Sequence, residues 1–203
     1  QQNLATEIYA SDGVLLGKFF YENRSPITYD QLSPHLVNAL ISTEDERFRE
    51  HSAIDAKSLA RAIFGALTGQ SSGGGSTITQ QLSKMLFTNV SRSKVERVKQ
   101  KFKEWVISVR LERNFTKDEI LSMYFNKFDF LYLAVGVKSA AKIYFNTTAD
   151  KLTIEQAAVL VGMAKNPSLY NPKRFPEKAI NRRNVVLGQM HRNGVISQLE
   201  RDS

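Results

Sequence analysis

Thr116-Lys117-Asp118-Glu119, Thr153-Ile154-Glu155-Gln156 and Ser197-Gln198-Leu199-Glu200 each run Ser or Thr, two residues, then Glu or Gln. In this pattern the hydroxyl caps a backbone N–H of the first turn while the acid or amide reaches back to the cap residue, so each marks a helix start. Pro34 after Ser33 signals another, with Ser as cap and Pro at the first helical position. That helix is expected to run into the Glu44 region. Leu59, Ile63 and Leu67, with Ala60, Ala62 and Ala66 beside them, predict a helix after Asp55 that ends in the flexible run Thr68 to Gly75. Helices resume at Thr77 and near Ser93. Over 93–113 the spacing places Val98, Phe102, Trp105 and Val109 on one buried stripe, and Lys101, Glu104 and Ser108 on a different face. Pro167, Pro172 and Pro176 mark a loop before a helix containing Arg182 to Arg192. Only residues 7–20 read otherwise, as two short strands around Asp12-Gly13. The expected fold is mainly α with a small N-terminal β-hairpin.

A length of 203 residues allows one large domain or two small lobes. The net charge of +8 favours an anionic partner such as nucleic acid, a phospholipid surface or a phosphorylated substrate. With no cysteine, disulfides and thiolate metal sites are excluded. No run approaches the roughly 18–20 apolar residues that span a bilayer, and Gln1 opens no signal-peptide pattern.

Several residues invite chemistry. Were its segment helical, Glu44 would share a face with Phe48 and His51. Phe48 would then desolvate the carboxylate and make it a better general base. A surface glutamate on an acidic helix, with His51 as a capping or core histidine, fits the same spacing. Glu104 lies among Lys99, Lys101 and Lys103. It reads either as one half of a solvated Lys101–Glu104 pair or as a ligand for a divalent metal beside phosphate-binding cations. The glycines ahead of Ser76 form either a linker or an anion cradle leading into a helix N-terminus. They are not a Walker A loop. Gln80 and Gln81 suit sugar hydroxyls or amides, and Lys84 follows two turns after Ser76. Phe125, Phe128, Phe130 and Tyr132 are core or an apolar contact surface.

Taken together, these segments resemble the peptidoglycan glycosyltransferase domain of bifunctional penicillin-binding proteins and monofunctional transglycosylases. The first motif stands as Glu44, Asp45, Phe48 and His51, followed by Asp55. The second runs from Gly74 to Leu82, with Lys84 after it. The third is Lys101-x-x-Glu104, continuing to Arg110-Leu111-Glu112. The fourth is Lys117-x-Glu119-Ile120-Leu121-x-x-Tyr124-x-Asn126. A fifth block spans Gly136 to Phe145, and Leu152 to Ala158 and Asn166 to Pro172 also fit. The likeness covers roughly residues 35–196.

The resemblance implies a lysozyme-like α fold of two lobes, a glycosyltransferase domain over 31–203 and an N-terminal β element over 1–30. It implies polymerisation of lipid II into β-1,4-linked glycan, with release of undecaprenyl pyrophosphate. Glu44 would be the general base. Glu104 would be the second carboxylate, acting through Mg²⁺ or Mn²⁺. Lys84, Lys101 and an arginine, best matched by Arg92, would neutralise the pyrophosphate. Asp45, Phe48, His51, Ser76, Gln80 and Gln81 would bind substrate. A membrane-facing jaw would occupy about 60–75, with Ile63, Phe64 and Leu67 as contacts. The implied partners are lipid II, the growing glycan, lipid of the bacterial cytoplasmic membrane at its extracytoplasmic face, and moenomycin-type inhibitors, and not nucleic acid. The family's usual transmembrane anchor is not read in this sequence, so a truncated ectodomain is expected.

Some residues depart from the family pattern. Ala53 stands where the family usually has Gly, Met85 where it has Asn, and Gln100 where an Arg precedes Lys101. Arg97 is a candidate substitute for that cation. The run Phe130-Leu131-Tyr132-Leu133 is more apolar than the polar or glycine-containing stretch often found there. Two other classes compete with this reading. A muramidase-like hydrolase or lytic transglycosylase would use one acidic glutamate and need no pyrophosphate site. A non-catalytic basic module would bind membrane or nucleic acid, for which no helix-turn-helix or RNA-recognition signature is present.

Overall fold

The computed structural model describes residues 6–9, 15–19, 26–53, 76–87 and 94–202. The helix expected after Asp55, the jaw, the glycine run before Ser76 and Arg92 lie outside the described residues. Two short strands, β1 (Thr6–Tyr9) and β2 (Leu15–Phe19), run antiparallel. The Asp12-Gly13 turn between them also lies outside the described residues. All other regular structure among the described residues is helical: α1 (Pro34–Glu44), α2 (Ile78–Phe87), α3 (Lys94–Asn114), α4 (Lys117–Lys127), α5 (Val137–Phe145), α6 (Ile154–Lys165), α7 (Pro176–Arg192) and α8 (Gln198–Asp202), with short 3-10 turns at Tyr29–Gln31 and Ala149–Lys151.

Local chemistry sets three of the helix starts. Thr116 accepts from Glu119 N at 3.2 Å while Glu119 Oε2 accepts from Thr116 N at 2.7 Å. Thr153 with Gln156 opens α6 in the same way, and Ser197 with Glu200 opens α8. At α1 the expectation needs correcting. Pro34 does occupy the first helical turn, but Ser33 makes no side-chain cap. Its hydroxyl donates instead to Leu152 O at 2.9 Å, tying α1 to the chain ahead of α6.

The helices pack in two groups, α1 with α6 and α7, and α2 with α3 and α4. Leu36 and Leu40 of α1 meet Leu160 and Met163 of α6 and Val186 and Met190 of α7 in one buried core that continues through Ile78, Leu82, Ile120 and Tyr124. Burial of each such aliphatic side chain stabilises the fold by about 1.5–3 kcal/mol. Gly162 permits the close crossing of α6 and α7, since a Cβ there would stand 3.1 Å from Arg182 Cγ.

The amphipathic reading of α3 is overturned. Phe102 is 59% exposed, and Trp105 and Val109 are only half-buried; the side chain of Val98 is outside the described set. The polar face is the one turned inward, with Glu104 and Ser108 buried. The cause is the neighbour. Helix α2 presents Ser83, whose hydroxyl lies 2.8 Å from that of Ser108, and both hydroxyls also reach main-chain carbonyls of their own helices. The aromatic run divides likewise. Phe125 and Phe130 are core, Phe128 is half-buried and Tyr132 is exposed.

Candidate active site

Helix α1 ends at Glu44 because Asp45 takes an extended φ of −162°. The shared helical face of Glu44, Phe48 and His51 therefore does not exist; residues 46–50 form turns. Asp45 turns back instead. Its Oδ1 lies 2.7 Å from His51 Nε2, and its Oδ2 accepts from Ile78 N at 3.2 Å, at the electropositive start of α2. Because a carboxylate only accepts, Nε2 carries the imidazole proton. Thr77 donates to Ala53 O at 2.8 Å and closes the same loop onto α2. Phe48 is fully buried under Lys117, whose Nζ stands 4.3 Å above the ring and donates to His51 O. Asp45, Phe48 and His51 thus stand in the wall behind Glu44 rather than on the cavity surface.

In front of that wall lies an open cavity of about 830 Å³, lined by Glu44, Ser76, Gln80, Gln81, Lys84, Lys101 and Glu104 from the sequence reading. The first three helices and the end of α6 contribute to it. Glu44 Oε2 accepts from Gln81 Nε2 at 2.7 Å, and Gln81 Oε1 accepts from the Tyr124 hydroxyl at 3.1 Å. Burial, and then the charge of Glu44, push the Tyr124 phenol up, so it stays a neutral donor. Among the described residues Gln80 Oε1 is a buried acceptor with no hydrogen-bond partner.

Glu104 is 4% exposed, and such a buried charge requires partners. Lys101 Nζ and Gln100 Nε2 each donate to it at 3.1 Å, and Lys101 Nζ also donates to Ser76 Oγ at 2.8 Å. Gln100, standing where an arginine was expected, thus braces the carboxylate. Four cations, Lys84, Arg97, Lys101 and Lys165, line the cavity against two carboxylates. The surplus of positive charge suits a multiply charged anion. Among the described residues no group of three or more acidic or histidine side chains could hold a metal by itself. Glu104 could share one only with oxygens of a ligand, as Mg²⁺ sites commonly do.

Reading the sequence missed Tyr124 and Lys165 as site residues. Tyr124 meets Gln81 across 43 positions of sequence, a distance no local pattern spans. Lys165 ends α6, where a lysine is equally explained by the helix dipole.

Residues 12–191 match the Transglycosylase family model. Penicillin-binding protein 1A of Escherichia coli is 42% identical over 197 residues, covering 97% of this chain and 23% of that protein. Penicillin-binding protein 1F of Bacillus subtilis is 38% identical over 197 residues, covering 97% of this chain and 27% of that protein. The crystal structure of penicillin-binding protein 1A from Haemophilus influenzae superposes with a TM-score of 0.56 at 25% identity, covering 100% of this chain and 20% of that one. The chain therefore spans about a quarter of the curated relatives it matches. By these matches the chain belongs to the transglycosylase family.

Proposed function

We propose that this domain polymerises lipid II into β-1,4-linked glycan and releases undecaprenyl pyrophosphate. The observation that carries the reading is the division of the cavity, with a carboxylate held by a neutral amide at one side and a second carboxylate among cations at the other. Glu44 takes the proton of the acceptor sugar's 4-hydroxyl as that oxygen attacks C1 of the donor. The C1–O bond to pyrophosphate breaks, and the leaving group departs with the electron pair, with inversion at C1. Lys84, Lys101, Arg97 and Lys165 stabilise the charge developing on the pyrophosphate. Ser76 and Gln81 lie along the donor, and Gln80 Oε1 accepts from a substrate hydroxyl or amide. Asp45, Phe48 and His51 fix the loop that aims Glu44. Mg²⁺ or Mn²⁺ would be held by Glu104 together with pyrophosphate oxygens and would add charge neutralisation there.

The two helical groups correspond in this reading to the lobes of a lysozyme-like fold, with the cavity as the cleft between them. The work takes place at the extracytoplasmic face of the bacterial membrane, and moenomycin-type inhibitors compete for the donor end. No helix among the described residues is long and apolar enough to cross a membrane.

Purified lipid II, supplied with a divalent cation, tests the reading. Polymer forms with the wild-type chain, and Glu44→Gln loses at least about a hundredfold in rate. Equal polymerisation by that variant would sink the assignment of the base. Unchanged rates in a chelator would remove the metal from the scheme.

A further inference from the structure

The Tyr124–Gln81–Glu44 chain has a direction. Glu44 can only accept, so the atom of Gln81 facing it must be the amide nitrogen. This leaves Gln81 Oε1 toward α4, where the group 3.1 Å away must donate. Tyr124 is 1% exposed and stays protonated, so its hydroxyl has the proton to give. Were Tyr124 unable to donate, the bond to the carboxylate would be the one remaining described hold on the Gln81 amide, and Gln81 Oε1 would lose its donor. The tyrosine ring is itself packed, stacked at 5.9 Å on Phe128 and edge-on at 5.6 Å to Phe125.

We propose that Tyr124 is a positioning residue for glycosyl transfer: its buried hydroxyl locks the Gln81 amide in the orientation that donates to Glu44, and so fixes one carboxylate oxygen while leaving the other for the acceptor hydroxyl. This inference rests on Glu44 being the base. Tyr124 touches no reacting atom and acts only through Gln81.

Two measurements test it. In lipid II polymerisation, Tyr124→Phe keeps the ring and removes the donor. The expected result is a kcat lower by roughly tenfold to a hundredfold, as for a slightly misaimed catalytic group, with KM within about twofold of wild type. In a Gln81→Met background the same change costs nothing more, within about twofold, because its only target is gone. Losses that multiply in the double variant, a KM rise that accounts for the whole effect, or an unchanged kcat would each overturn the proposal.

The second measurement needs neither activity nor a variant. In NMR spectra of the wild-type protein the Tyr124 hydroxyl proton is expected as a slowly exchanging resonance with a cross-peak to the Gln81 side-chain amide. Its absence overturns the proposal even if Tyr124→Phe does not fold. If the resonance is present but Glu44→Gln polymerises normally, it is the assignment of Glu44 that fails, and the orientation of Gln81 stands.

Discussion

Ala53 and Leu131 hold φ values of 55° and 65°, the left-handed region that costs a residue with a Cβ about 1 kcal/mol or more. At both places the family pattern favours or admits glycine. Ala53 is held there by hydrogen bonds that its carbonyl accepts from Thr77 and Gln80. Ala53→Gly is therefore expected to raise stability by roughly 0.5–1 kcal/mol, the relief of strain exceeding the entropy that glycine adds to the unfolded chain. Urea midpoints would check it, and a drop would show that the turn is not strained. Gly136 presents the opposite case. Its φ is 82°, and a Cβ would stand 3.0 Å from Asn126 O, so Gly136→Ala is expected to cost about 1–3 kcal/mol. These conformations are legible in sequence only where glycine marks them, which is why Gly136 stands out and Ala53 does not.

Tyr144 adds a dependence on pH. Burial raises its phenol above the ordinary 10.0, against the hydrogen bond from Asn171. A tyrosine whose folded pKa is raised keeps its contribution below the unfolded value and loses it as pH climbs beyond. Urea midpoints of the wild type should fall above about pH 10 more steeply than those of Tyr144→Phe. Parallel curves would show that the phenol contributes nothing there.

Helices are legible here to the extent that their signals are local. The Thr116 and Thr153 boxes lie within four residues of sequence, and both close as expected. Thr116→Ala should cost about 1 kcal/mol in a thermal or urea melt, and a neutral result would mean that α4 is held by packing alone. The inward face of α3 was not legible, because periodicity assigns apolar residues to the interior and α3 turns its polar ones there. Ser108 is buried against Ser83 of α2, 25 positions away, while Glu104 is held at the cavity by Gln100 and Lys101 of its own helix. The end of α1 at Glu44 was hidden for a related reason. What halts the helix is Asp45 turning away to bond His51 and Ile78 N, the latter 33 positions on. Where a site overrides packing, patterns of hydrophobicity mislead.

For the molecule as a whole, a charge of +8 and the cations around the cavity bias it toward anionic surfaces. Co-sedimentation with phosphatidylglycerol vesicles should weaken as salt rises, since screening shortens the reach of charge to about 3 Å at 1 M. Binding indifferent to salt would make the contact apolar instead. At this scale too, one side chain links distant segments. Asn126 accepts from Ile27 N at 2.9 Å and donates to Ile27 O at 2.8 Å, across 99 positions. Asn126→Ala leaves both main-chain groups without their partners and should cost about 1–3 kcal/mol.

That paired contact also gives the molecule a mechanical property. A pull on the chain ahead of Ile27 reaches α4 in part through this amide, two residues from Tyr124. On the function proposed above, tension there is borne by the helix whose Tyr124 bonds Gln81, so load and catalysis share a single beam.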